Sequence, residues 1–213
     1  MKVLVINSGS SSLKFTLFDM SDKSVLCKGL VERIGMEGTK LTYQANGQKV
    51  EEPLNISQHS EALPPICAKM TDPEVGVIKD LGEIEAIGHR VLHGGMEFTK
   101  PILVDDKVKA GIRKCFVLGP LHNPANLSGI EACESGFKGV PNVAVFDTSF
   151  HMTMEPSAYL YAIPQEYHKK YGIRKYGFHG TSHKYGAHKA AGKHRRCPAG
   201  RTSCSGSRPA RGR

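Results

Sequence analysis

No run of roughly eighteen apolar residues occurs in the 213-residue chain, so no segment is expected to cross a membrane. No long apolar core followed by a small-residue cleavage site stands near Met1, which argues against a secretory leader. The six cysteines, Cys27, Cys67, Cys115, Cys133, Cys197 and Cys204, form no C-x-x-C pair. Thiols scattered in this way fit buried residues in a reducing cytoplasm better than a disulfide framework or a metal site. Acidic residues are missing altogether from Gly186 to Arg213, a stretch with two Lys and six Arg. It carries nearly all of the formal net charge of +9 and leaves the body close to neutral, so no nucleic-acid surface is expected there.

The same carboxyl-terminal stretch lacks every large apolar residue after Tyr185, so it cannot bury a face and is expected to be disordered over 192–213. A basic arm for RNA, a linker and an out-of-frame reading of a GC-rich gene are the three explanations. The abrupt loss of apolar residues favours the last.

What is present reads as α/β. Val3 to Ile6 and Lys14 to Phe18 have strand patterns, and Val25 to Val31 reads as a third strand. Two short runs flank Asn46-Gly47, a strong hairpin signal. Residues 55–71 suggest a helix that Pro64 and Pro65 should break or restart. Residues 86–92 form a strand, 105–117 a helix, and Asn123-Pro124 a cap and first turn for a helix through Cys133. Val143 to Phe146 is a short strand ending at Asp147. Strands first and then strands alternating with helices imply a mixed sheet.

Between the first two strands lies N-S-G-S-S-S-L-K. An ordinary hairpin turn is one reading. Four serines, an asparagine and a glycine nevertheless supply more donors than a turn needs, and such a cluster cradles phosphate oxygens. The stretch lacks the second glycine and terminal Lys-Ser/Thr of a Walker A loop. Polar residues at strand carboxyl ends tend to line sites in α/β sheets. Here these are Asn7, His93-Gly94-Gly95 and Asp147-Thr148. Asp147 could equally cap a turn. Arg90, inside a strand, needs an anion, either a structural carboxylate or a ligand. His179 and His183 have zinc spacing, but Gly180 and the missing Glu of H-E-x-x-H argue against a metal helix. His179 on a glycine loop, followed by Thr181-Ser182 as helix cap, reads instead as a donor aimed at an anion near a helix N-terminus.

The stretches VLVINSGSSSLKF, AIGHRVLHGG, PLHNPAN, VFDTSFH and RKYGFHGTSHKY, in this order, resemble the acetate kinase family. That family belongs to the superfamily of acetate and sugar kinases, heat-shock ATPases and actin. The likeness runs from Met1 to about Ala191, and Asn7-Ser8-Gly9 separates it from butyrate kinases, which have proline after that asparagine. It implies a ribonuclease-H-like (actin-like ATPase) domain over 1–150 and the start of a second similar domain over 151–191. It implies reversible phosphoryl transfer from ATP to acetate, giving acetyl phosphate and ADP, with Mg2+ (or Mn2+). By resemblance Asn7 would help hold the metal, and Lys14, Ser10 and Ser12 would meet ATP phosphates. Arg90 would bind the acetate carboxylate, Asp147 would be the catalytic acid and His179 the transition-state stabiliser. Leu92, Leu121 and Phe178 would line the pocket for the acetate methyl. Homodimers and a cytoplasmic location are also implied.

The chain departs from the family in lacking the second domain's H-L-G-N-G-S-S-type segment, the adenosine site, a second catalytic arginine and a late carboxylate metal ligand. It is therefore expected to have little activity alone. A propionate kinase and, in another class, a non-catalytic half-domain with a basic RNA-binding arm are the alternatives.

Overall fold

Apolar residues at every second position of the first eighteen make a hairpin whose one face is buried. Strands β1 (Lys2–Ser8) and β2 (Ser12–Asp19) pair antiparallel, with Ile6 opposite Phe15 and Leu4 opposite Leu17. The computed structural model describes residues 1–193. The meander continues through β3 (Ser24–Glu32), β4 (Lys40–Ala45) and β5 (Gln48–Pro53). Between β4 and β5, Asn46 and Gly47 both take positive φ, 51° and 77°, as a two-residue primed turn requires.

Helix α1 (Leu63–Met70) starts at the two prolines, preceded by a 3-10 turn over His59–Ala62. The expected restart occurs because first-turn N–H groups have no intrahelical partner, so proline removes nothing there. Strand β6 (Ile84–Val91) runs parallel to β1, and β8 (Asn142–Phe146) runs parallel to β6. The two-residue β7 (Ile102–Leu103), which carries no sequence signal, closes the edge antiparallel to β8. The eight strands thus form one mixed sheet in the order β5-β4-β3-β2-β1-β6-β8-β7.

Helix α2 (Asp106–Lys114) is capped by Asp105, whose Oδ1 accepts from the Val108 N–H at 2.8 Å. Helix α3 (Asn123–Gly136) follows. The expected cap, Asn123, is already inside the helix; its amide is used elsewhere. Leu4, Ile6, Leu13, Phe15 and Leu17 pack with Ile66 and Met70 of α1 and with Cys133 and Phe137. A second cluster joins Val91, Ala144 and Phe146 to Leu127 and Ile130 of α3 and to Val108 and Ile112 of α2. There the rings of Phe98 and Phe146 stack at 4.7 Å. A buried side chain of this size contributes about 1.5–3 kcal/mol.

These helices cover one sheet face. The other face stays open along β1, where Val5 is 37% exposed. After β8 the described chain adds a 3-10 turn over Ser149–Thr153 and helices α4 (Pro156–Tyr159), α5 (Gln165–Tyr171) and α6 (Gly180–Lys193). Helix α6 passes residue 191, and the tail expected over 192–213 lies from residue 194 outside the described residues. Among the described residues no helix is long and apolar enough to cross a membrane.

Candidate active site on the open sheet face

Strand register gathers the site. Lys14 of β2 is opposite Asn7 of β1, and Arg90 of β6 is opposite Val145 of β8. Ile6 pairs with His89, so the next residues, Asn7 and Arg90, come side by side on the open face. A row Lys14, Asn7, Arg90, Val145 therefore crosses four strands at their carboxyl-terminal or turn ends, and Asp147 lies two residues beyond Val145.

The guanidinium of Arg90 clasps Asp147. Its Nε donates to Oδ1 and Oδ2 at 3.1 and 3.2 Å, and its Nη2 donates to Oδ2 at 2.6 Å. Its Nη1 donates to Asn7 Oδ1 at 3.3 Å. The Asp147 side chain is only 4% exposed, and a carboxylate that deep needs this compensation. A guanidinium carries five N–H groups. Three are engaged, which leaves two without a partner among the described residues and directed from a side chain that is 33% exposed. The carboxylate fixes the fork, as the structural reading of Arg90 expects, and the fork keeps two further donors.

His179 stands near the same carboxylate oxygen that Arg90 Nη2 reaches, with Nδ1 3.8 Å from Asp147 Oδ2. It immediately precedes helix α6 with a left-handed φ of 53°, and its side chain is 70% exposed. The Gly180 N–H donates to the Asp147 carbonyl at 2.9 Å. A Cβ on Gly180 would sit 2.4 Å from that oxygen, so only glycine fits. The expected cap pair Thr181-Ser182 lies instead within the first turn of α6, which begins one residue earlier because this contact needs Gly180.

Two carboxamides of α3 fix the strand ends from the buried side. Asn126 Oδ1 accepts from the Leu92 N–H at 3.0 Å, and its Nδ2 donates to the Ser8 carbonyl at 2.6 Å. Asn123 Oδ1 accepts from the His93 N–H, and its Nδ2 donates to the His93 carbonyl. Thr148 Oγ1 accepts from the Gly94 N–H at 3.1 Å and ties the end of β8 to the same loop. His93 is buried. Its Nδ1 accepts from the Gly95 N–H, its ring meets Tyr176 and Phe178 edge-on, and burial lowers its pKa. The bridging roles of Asn123 and Asn126 were not visible in the sequence, although both stand in the P-L-H-N-P-A-N stretch.

At the serine loop the Gly9 N–H donates to the Ser12 carbonyl at 2.7 Å. The Ser10, Ser11 and Ser12 hydroxyls have no partner among the described residues. Leu92 is half-buried beside Gly119, whereas Leu121 is 73% exposed and Phe178 39% exposed. A cavity of about 1060 Å3 lies toward the opposite end of the sheet among Val25, Asn46, Asp72 and Glu83 and is lined by none of these residues.

The sequence model of the Acetokinase family matches residues 2–198. The chain is 60% identical over 187 residues to an acetate kinase of Finegoldia magna, covering 87% of this chain and 47% of that protein. It is 54% identical over 192 residues to the acetate kinase of Methanosarcina thermophila, covering 90% and 47%. Among solved structures, Porphyromonas gingivalis acetate kinase superposes with a TM-score of 0.85 at 42% identity, covering 90% of this chain and 48% of that one. A propionate kinase from Francisella tularensis gives 0.84 at 41% identity, with the same coverage. The mixed sheet is thus that of the ribonuclease-H-like (actin-like ATPase) fold. The chain spans about half the length of the curated relatives it matches, and it belongs to the acetokinase family.

Proposed function

We propose that these residues form one wall of a phosphoryl-transfer cleft acting between ATP and acetate. The observation that carries this reading is the Asp147-clasped Arg90 with two spare donors, flanked by Asn7 and His179. Phosphoryl transfer asks mainly for alignment and for positive charge around a spreading negative transition state. Arg90 receives the acetate carboxylate or, in reverse, the phosphoryl group, and His179 supports the migrating group. Acetate is ionised at neutral pH, its pKa being about that of a Glu side chain. Asp147 therefore has no proton to remove, and its three contacts with Arg90 support a role as organiser of the guanidinium. Lys14, Ser10 and Ser12 point donors at the ATP phosphates, and Leu92, Leu121 and Phe178 offer the apolar side to the acetate methyl.

Mg2+ takes hard oxygen donors and keeps waters and phosphates among its ligands. Asn7 Oδ1 and the Asp147 carboxylate fit a cation shared with substrate, and fit no closed protein cage. Bound there, Mg2+ would neutralise phosphate charge.

The test is Arg90→Ala in a chain completed with the second half of the Finegoldia magna relative. Turnover is expected to fall about 10²–10³-fold, the size of losing one oxyanion donor, and Arg90→Lys is expected not to restore it, since a point charge replaces a fork. Turnover within a few-fold of the unmodified protein would refute the assignment. The nearly equal likeness to a propionate kinase supports a second reading, in which the open apolar wall accepts one more methylene. Specificity constants for acetate and propionate in the completed protein decide between them.

A further inference from the structure

The serine loop keeps its acceptors inside and its donors outside. The Ser12 carbonyl accepts from the Gly9 N–H at 2.7 Å, and the Ser11 carbonyl accepts from the Ile34 N–H at 3.0 Å. The Gly9 carbonyl accepts from a residue fifty positions away, His59, at 2.6 Å. A carbonyl oxygen can only accept, so Nε2 of His59 carries a proton. The 3-10 turn that holds His59 packs on both α3 and β2, so the imidazole comes from a fixed support. By contrast, the backbone N–H groups of Ser10 and Ser11 have no acceptor among the described residues.

The Gly9 carbonyl and the Ser10 N–H share one planar trans peptide and point in opposite directions. Whatever turns the oxygen inward must turn the Ser10 N–H outward. Glycine leaves that plane free to rotate, because it tolerates backbone angles other residues avoid. We propose that His59 is a positioning residue that locks the Gly9–Ser10 peptide and so aims the loop's N–H and hydroxyl donors at a phosphoryl oxygen. This rests on the phosphate reading of the serine loop given above. His59 itself touches no substrate.

The test uses the 213-residue chain with inorganic tripolyphosphate as probe, followed by amide NMR of Gly9, Ser10 and Ser11. In the parent chain the Ser10 and Ser11 signals are expected to shift on titration. His59→Ala is expected to weaken the affinity about tenfold, the worth of one ordered hydrogen bond, and to speed exchange of the Gly9 amide by a similar factor. His59→Gln, whose amide N–H reaches about where Nε2 does, is expected to restore both. A merely structural role would lower the melting temperature without selective loss of tripolyphosphate binding or rescue by glutamine. Equal affinity in His59→Ala and the parent overturns the His59 inference alone. No response from the parent chain, with its Gly9 amide still protected, overturns the phosphate reading and this inference with it.

Discussion

His89 precedes Arg90 and points the opposite way, into the buried face shared with Ile87 and Val91. Its Nε2–H donates to Asn142 Oδ1 at 2.7 Å, and Asn142 Nδ2 in turn donates to the Val140 carbonyl, which fixes both the amide and the tautomer. Burial pushes its pKa down to about 4, only partly opposed by the Asn142 bond. The folded value lies below the unfolded one of about 6.5, so the neutral ring favours folding. That contribution is complete above about pH 6.5 and is lost as pH falls toward 4, amounting to up to about 3 kcal/mol. Buried His93 shifts in the same direction. His89→Gln keeps a donor for Asn142 and removes one titration. Urea unfolding followed from pH 7 to pH 4 is expected to show a shallower loss of stability in this variant than in the parent. Identical slopes would mean that His89 is already neutral in the unfolded chain or charged in the folded one.

At the scale of elements, α3 does more than fill the core. It lies so close to β1 that a Cβ on Gly129 would come within 2.9 Å of Ser8 Cβ, and this approach brings Asn126 within reach of both strand ends. Asn126→Ala leaves the Ser8 carbonyl and the Leu92 N–H unpaired in the interior, at about 1–3 kcal/mol for each group. A loss of about 2–6 kcal/mol in chemical unfolding is expected, and a loss under about 1 kcal/mol would show that water or a shifted backbone satisfies them. The apolar stripe Leu127, Ile130 and Cys133 was legible in the sequence because its spacing is local. The work of Asn123 was not, since a carboxamide before proline looks like a cap until His93, thirty residues earlier, is placed beside it. The same holds for His59, whose partner is fifty residues away. The strands, the Asn46-Gly47 turn and the serine loop could be read directly because alternation and turn chemistry are written in adjacent residues. Strand β7 could not, because two residues have no period. Asn7, Arg90, Asp147 and His179 were legible as residue types, and only the register of β1, β6 and β8, with the Gly180 contact to the Asp147 carbonyl, brings them together.

At the scale of the molecule, the decisive feature is that the described residues cover the sheet on one side. Parallel strands such as β1, β6 and β8 are normally buried on both faces. Here the second face carries Arg90 and Val5, both partly open to solvent, and exposed His179 of the loop before α6 stands near Asp147. A phosphoryl group bound to this face would have no opposing wall among the described residues to hold it in line. Alignment of reactants can be worth roughly 7–11 kcal/mol, and an open face provides almost none of it. The curated relatives carry about as much chain again beyond the matched half. The 213-residue chain alone is therefore expected to give no acetyl phosphate above background when hydroxylamine traps the product as hydroxamate. The same chain completed with the second half of the Finegoldia magna relative is expected to turn over. If the isolated chain reached about one-hundredth of the completed protein's rate, the missing wall would account for no more than about 2.7 kcal/mol, and the open face by itself would have to align both substrates.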